Sequence, residues 1–301
     1  MLDVKRMVIL RDLAAHGRVT AVADLHGVTP SAVSQQLRTL EAEAGAVLVE
    51  REGRGLRLTA AGAALAAACE PVLAALERAE GAVRALDADL RGEVVIGCAP
   101  SALATVAAPL VAELAARHPR LRPRIVQADP EEAVPRLRAR RLDLAVTYAY
   151  PLLGAPPAEG THAVRLFEDP LCLALPRALL PAWEREGLAA LREADWVSAP
   201  APSSCRDMLL HACRNAGFTP RVAHECADLR AGLWLVATGH AVSILPRLMC
   251  GDPPAGAVVR ELPGPGRTLD AVVRAGTETR PAVAATLAAL TAAQPGGGCG
   301  S

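Results

Sequence analysis

Ser31, Ser34, Gln35 and Arg38 fall on one side of the segment from Thr29 to Leu40 when it is wound as a helix. At about 100° per residue, Val33, Leu37 and Leu40 gather within roughly 60° of each other on the opposite side. The polar face carries a specific chemistry. A glutamine amide can read adenine through two hydrogen bonds, an arginine guanidinium can read guanine, and a serine hydroxyl suits phosphate or base. A helix with such a front and an aliphatic back is what a major-groove reader requires. An ordinary amphipathic helix with a solvated face has the same composition, so the neighbouring residues must decide.

Those neighbours describe a helix-turn-helix. Thr20 is suited to cap a short helix running to His26, and Gly27 supplies a turn residue that tolerates positive φ. Thr29 followed by Pro30 reopens a helix, with a threonine N-cap and proline at the first helical position, where its missing N–H costs nothing. Both then sit beside the polar face as candidate DNA contacts. Residues 50–58 alternate polar and apolar types around two glycines, as a β-hairpin wing would, and bring Arg51, Arg54 and Arg57 together. Arginines on a wing suit phosphate or minor-groove contact. Residues 1–58 hold eight cations against seven anions, a net +1. DNA affinity therefore needs two copies acting together, with a moderate salt dependence per copy.

After Thr59 the pattern lengthens. Leu65, Cys69, Val72, Leu76, Ala79, Val83, Leu86 and Leu90 alternate spacings of four and three, a heptad seam that predicts a helix–helix contact with a second chain. Pro71 inside this helix removes a backbone hydrogen bond and should kink it.

From Gly92 onward short apolar runs alternate with helical patterns, which predicts a parallel-rich α/β architecture. Strands are expected near residues 93–97, 124–126, 142–148, 171–175, 196–197, 242–245 and 269–273. A helix is expected from Ser101 to about His118, and a second behind Asp129, whose side chain could cap it. Ligands of open α/β sheets sit beyond the carboxyl ends of strands. That rule nominates Ser101 and Ala102 after the first strand, and Pro202, Ser203 and Ser204 at the start of a later helix. Gln127, Asp129 and Tyr148 are the further candidates at strand ends. Two helix N-termini facing one cleft would suit a carboxylate or another small anion, although a serine cap needs no ligand.

Composition narrows the classes. Lys plus Arg and Asp plus Glu are 32 each, so net charge points to no partner. The N-terminus has charges where a signal peptide needs an apolar core. No run approaches about 18 uninterrupted apolar residues. A soluble cytoplasmic protein without a membrane partner is expected. The eight cysteines form no C-x-x-C pair, so no zinc site is expected. No glycine-rich phosphate loop, nucleophile elbow or metal triad occurs, and the seven histidines are scattered. No cofactor and no enzymatic activity are expected.

The run AVADLHGVTPSAVSQQLRTLEAEAG, then LVER, then RGLRLTAAG resembles the winged helix-turn-helix of LysR-type transcriptional regulators. Residues 94–97, 141–145, 213–220 and 235–246 resemble the sensing region of the same family. The resemblance implies an α/β chain of three parts: an N-terminal all-α winged helix-turn-helix over residues 1–58, a linker dimerisation helix over 59–91, and an effector-binding domain over 92–301. That last domain would be two-lobed and like a periplasmic binding protein, with lobe I at about 92–165 and 269–293 and lobe II at about 166–268. It further implies double-stranded DNA, a small-molecule effector and further copies of the chain as partners, the last as a homodimer that pairs into a tetramer. Cys205 and Cys213 resemble the cysteines of peroxide-sensing members. Eight residues of helix span about 12 Å, however, and a disulfide needs Cα atoms within about 7 Å. The competing reading is a solute-binding or enzyme domain whose N-terminal helices are only a dimerisation arm.

Overall fold

The structure is a computed structural model that describes residues 1–52, 55–84, 90–154 and 160–292. Arg54, Leu86 and Cys299 lie outside the described residues. The chain opens with α1 (Val4–His16), α2 (Val19–His26) and α3 (Pro30–Ala44), followed by the hairpin β1 (Val49–Glu52) and β2 (Gly55–Leu58). Asp3 caps α1 by accepting from the Lys5 and Arg6 amides. Gly27 ends α2 at φ 66°, which makes the tight turn. The apolar stripe of α3 closes a core with Met7, Leu10, Leu13, Val22 and Leu48. α2 starts at Val19 rather than behind Thr20, because Val19 packs on this core and Arg18 takes the N-cap position.

α4 (Ala60–Arg84) is the long helix. Thr59 caps it by accepting from the Gly62 amide (3.0 Å) and donating to the Val47 carbonyl (2.7 Å). A Cβ at Gly62 would sit 2.0 Å from the Leu48 carbonyl oxygen, so the helix crosses the hairpin at a distance that only glycine allows. The expected seam divides in two. Cys69 is fully buried and Leu65 half-buried in the helix-turn-helix core, so these two face inward rather than toward a second chain. Val72, Leu76 and Val83 are 40%, 40% and 70% exposed. Leu90 is half-buried where the chain enters the next domain. Glu70, Pro71, Glu77 and Glu80 interrupt its apolar run, yet Ala60–Val83 is long and apolar enough to cross a membrane by length and composition. Its alanines raise that figure, while its inner face is tied by packing and ion pairs to both neighbouring domains.

Lobe I is built from β3 (Gly92–Cys98), α5 (Ala108–Arg117), β4 (Leu121–Gln127), α6 (Pro130–Arg138), β5 (Leu144–Ala149) and β6 (Thr161–Asp169). The chain then enters lobe II: β7 (Leu171–Pro176), α7 (Leu180–Glu186), β8 (Asp195–Ser198), α8 (Ser204–Asn215), β9 (Arg221–Glu225), α9 (Leu229–Ala237), β10 (Ser243–Pro246) and β11 (Ala257–Glu261). It returns to lobe I through β12 (Arg267–Arg274) and ends in α10 (Pro281–Ala292).

The lobe I sheet has the order β4-β3-β5-β12-β6. β3, β4 and β5 are parallel, and β12 runs antiparallel to both of its neighbours. β5 is buried along nearly its whole length, as a central strand covered on both faces must be. α5 and α10 cover one face and α6 the other. In lobe II, β7 pairs antiparallel with β10 and β11, β8 pairs parallel with β9, and a single bridge from Trp196 to Val242 joins the two sets.

The architecture is thus less parallel than the alternation implied, because the returning strand β12 runs against the sheet it rejoins. β6, β9 and β11 were not expected; half-exposed β6 and β9 lack the apolar runs that mark the others. β6 and β12 lie wholly in the lobe I sheet, so lobe I takes residues up to 169 and from 267, rather than up to 165 and from 269. The expected helix from Ser101 is three pieces: a 3-10 turn at Pro100–Ala102, a π turn at Leu103–Ala107, and α5. Pro109 has no N–H to continue an earlier α register, so the regular helix begins beside it.

Candidate nucleic-acid interface and effector cleft

α3 presents Thr29, Pro30, Ser31, Gln35 and Arg38 to solvent, with Ser34 half-exposed beside them. Their bonds are local. Thr29 Oγ1 accepts from the Ala32 amide at 3.2 Å and lies 2.9 Å from Ser31 Oγ. Ser34 Oγ donates to the Pro30 carbonyl at 3.0 Å, and Arg38 Nη2 donates to Gln35 Oε1 at 2.9 Å. Such surface bonds exchange readily for base edges or phosphates.

The back of the helix is held firmly. Val33, Leu37 and Leu40 are buried. Glu41 Oε1 accepts from the amides of Leu48 and Val49 at 2.9 and 3.2 Å, which fixes the wing against the end of α3. Arg6 on α1 bonds Gln36 and Glu43 on α3. On the wing, Arg51 is exposed, and Arg57 pairs with Glu50 on the facing strand.

A buried charge cluster fixes the turn. Asp12 on α1 accepts from Arg11 at 2.7 Å and contacts His26 Nε2 at 2.7 Å, at the end of α2, while Arg11 lies 3.6 Å from Glu70 on α4. Burial pushes the Asp12 carboxyl up, but the bond to His26 and the Arg11 charge outweigh it and hold the pKa below the ordinary value. A carboxyl with a lowered folded pKa stabilises above its unfolded pKa and loses that contribution as pH falls through the folded value. Asp12→Asn leaves Arg11 with only the longer contact to Glu70 and is expected to cost about 3 kcal/mol near pH 7. Melting temperatures of variant and parent should converge once the pH is taken below the ordinary carboxyl range; a gap that does not depend on pH would contradict this role.

The second site lies between the lobes, a cleft of about 310 Å³. Ser101, Asp129 and Tyr148 line it from lobe I, and Pro202, Ser203 and Cys205 from lobe II. At the crossing stands Arg267, the first residue of β12, which is 1% exposed. Its Nε donates to Asp169 Oδ2 at 2.9 Å, its Nη2 lies 2.8 Å from the same oxygen and donates to Ser101 Oγ at 2.8 Å, and its Cζ lies 4.5 Å over the Tyr148 ring. Asp169, the last residue of β6, also accepts from the Leu248 amide of lobe II at 3.1 Å. Burial pushes the Asp169 carboxyl up against the pull of Arg267. A Cβ at Gly266 would lie 2.3 Å from the Asp169 carbonyl oxygen, so the two crossing strands approach as closely as glycine permits.

Tyr148 donates to Asp129 at 3.3 Å, and Tyr150 lies 3.2 Å from Cys205 Sγ. Burial pushes both tyrosines and Asp129 up. Cys205 and Cys213 both lie on α8, the second fully buried.

Several expected effector residues change role. Ser203 Oγ accepts from the Arg206 amide and caps α8 (3.2 Å), while Ser204 is the first helical residue and does not line the cleft. Asp129 precedes α6 without capping it, because its carboxylate turns to Tyr148. Gln127 ends β4 in solvent outside the cleft, and Ala102 is packed in the lobe I core. Arg267, Asp169 and Tyr150 were not anticipated. Their signal was available in Asp169-Pro170 and in the Gly-Pro-Gly-Arg run at 264–267, which put charge at the ends of apolar strands where the chain must cross.

The far end of β12 reaches α4. Arg274 Nε donates to Glu77 Oε1 at 3.0 Å, and Arg274 Nη1 donates to the carbonyls of Leu137 and Leu142 at 2.9 and 2.6 Å. Glu77 is 2% exposed and also pairs with Arg140 at 3.1 Å and Arg280 at 3.5 Å. Arg141 donates to the Leu25 carbonyl beside the helix-turn-helix turn at 2.7 Å.

Comparisons with known proteins agree with this anatomy. The family model described as the LysR substrate binding domain matches residues 87–295. The one described as the bacterial regulatory helix-turn-helix protein, lysR family, matches residues 4–63. The chain is 32% identical to the HTH-type transcriptional regulator ShiR of Corynebacterium glutamicum, over 72% of this chain and 74% of that one. It is 28% identical to a probable hydrogen peroxide-inducible genes activator of Mycobacterium avium, over 87% and 85%. The fold matches full-length CbnR solved with its target DNA, at TM-score 0.54 and 22% identity, covering 97% of this chain and 100% of that one. With a helix-turn-helix and hairpin at one end and a two-lobed substrate-binding domain at the other, the chain belongs to the LysR family of transcriptional regulators.

Proposed function

We propose that this regulator reads its operator with Thr29, Pro30, Ser31, Ser34, Gln35 and Arg38 of α3, while Arg51, Arg54 and Arg57 on the wing hold the DNA backbone. The observation that carries the reading is the division of α3 into a buried aliphatic stripe and a solvent-facing row of amide, hydroxyl and guanidinium groups. Two copies join through the outer face of α4, at Val72, Leu76 and Val83 with Leu86 and Leu90 further along, and dimers join again through the sensing domains into a tetramer. The cytoplasm is the place of action.

An effector between the lobes changes their angle, and β12 carries that change from Arg267 in the cleft to Arg274, which is bonded to Glu77 of the linker helix. A shifted linker alters the spacing of the two reading helices and hence the bend in the DNA.

Mobility shift with DNA from upstream of the gene tests the reading. Specific retardation that weakens as salt rises is expected; failure to retard that DNA at any salt concentration would reduce the N-terminal helices to a dimerisation arm. Leu76→Glu with Val83→Glu should yield monomers on a sizing column and lose tight operator binding with them. A double variant that elutes with the parent would place the contact elsewhere.

A further inference from the structure

We infer that the effector is a small zwitterion of the α-amino acid type, its carboxylate held at Arg267 and the start of α8, and its ammonium held by Asp129 and Glu131. The inference rests on the proposed reading of the cleft as the effector site and assigns that site a charge class.

The two kinds of partner meet at one tyrosine, the cation over its ring and the anion at its hydroxyl. Arg267 is packed over the Tyr148 ring at 4.5 Å, and the Tyr148 hydroxyl donates to Asp129 at 3.3 Å. A cation and an anion are therefore both anchored on Tyr148, one over its ring and one at its hydroxyl, so a molecule carrying both charges can engage the two through charge-assisted hydrogen bonds of about 2.8 Å. Arg267 is 1% exposed and lines the cleft, and its Nη1 has no hydrogen-bond partner, although its Nε and Nη2 are used by Asp169 and Ser101. Leaving a charged donor unpaired in a buried place is costly, and an anion supplies what it lacks. The first turn of the 12-residue helix α8 opens on the same cleft behind Pro202 and Ser203, and adds backbone amides and the positive end of a dipole.

The rest of the lining argues against a simple anion. Asp129, Glu131 and Glu132 all line the cleft from the start of α6; the Glu132 charge is answered by Arg136 at 2.9 Å, while Asp129 accepts only a neutral hydroxyl, that of Tyr148. A dicarboxylate would meet these carboxylates, and a plain amine would leave Arg267 and the α8 amides unanswered. A zwitterion satisfies both walls, and about 310 Å³ suits a molecule of amino-acid size. Because α8 belongs to lobe II and α6 to lobe I, such a ligand draws the lobes together.

The test is calorimetric titration of the full-length protein with the twenty common L-amino acids and, for each that binds, its 2-oxo acid and its decarboxylated amine. At least one amino acid should bind, with both analogues weaker by about tenfold or more. Asp129→Asn and, separately, Glu131→Gln should weaken the amino acid by about tenfold while leaving the 2-oxo acid unchanged or tighter. Equal binding of an analogue, or no binding by any of the twenty up to millimolar concentration, overturns the inference. A dicarboxylate that binds tightly would overturn the charge class while leaving the cleft as the effector site. Failure of the regulator reading itself would show separately, as loss of operator retardation by the ligand-free protein.

Discussion

Replacing Ser34 and Arg38 together by alanine is expected to lower operator affinity by about 100-fold or more at fixed salt, while the melting temperature stays within a degree or two. A well-formed base contact is worth about 1–3 kcal/mol, and a dimer makes each contact twice. The fold should not notice, because Arg38 is exposed and its only described partner is Gln35 on the same helix face, while Ser34 merely bonds back to the Pro30 carbonyl. Surface changes of this kind cost little stability. The residual binding should keep most of the parent's salt dependence, since the wing arginines still neutralise phosphates. Competition with unrelated DNA separates the two contributions: the variant should lose its preference for the operator and retain its weaker general affinity.

Glu77→Ala is expected to release the linker helix from lobe I at a cost of about 3–5 kcal/mol, the usual consequence of leaving a buried charge without its partner. Arg274 is the stranded group. Its side chain is 9% exposed, and its remaining bonds go to the Leu137 and Leu142 carbonyls, which neutralise nothing. Arg140 and Arg280 would repel it further once the shared carboxylate is gone. Thermal unfolding should fall by many degrees or split into two transitions, one for each domain. Effector binding should survive, because the cleft lies at the opposite end of β12, but its effect on DNA affinity should be lost. A variant in which effector still shifts operator affinity by the parent's factor would remove β12 from the signalling path.

Local signals in the sequence were enough for the DNA-binding end. The Thr29-Pro30 start, Gly27 and the spacing of Val33, Leu37 and Leu40 act within one or two turns, and each is found where its chemistry places it. Thr59 and Gly62 likewise make their contacts with the adjoining hairpin. The heptad pattern was harder to read. Leu65 and Cys69 share the spacing of Val72, Leu76 and Val83, yet the first pair packs on its own domain and the second group does not. Spacing alone cannot say which body a helix face meets.

The cleft was the least legible part. Of the serines expected at helix starts, Ser101 and Ser203 line the cleft, but the central group is Arg267, which joins Asp169 across 98 residues of sequence. Contacts of that range depend on where the two crossing strands meet, and no local period encodes it. Glu77 with Arg274, 197 residues apart, was hidden for the same reason. On the sequence it is one more charge on a helix, and only the docking of lobe I buries it.

The outward face of α3 is what separates an operator reader from an ordinary solvated helix. Nuclease footprinting of the DNA upstream of the gene, with parent protein and the Ser34/Arg38 double alanine variant at matched concentration and salt, examines that face alone. The parent should protect two half-sites about one helical turn apart, or a multiple of that, and the variant should leave both open. Equal protection by both proteins would contradict α3 as the reading element.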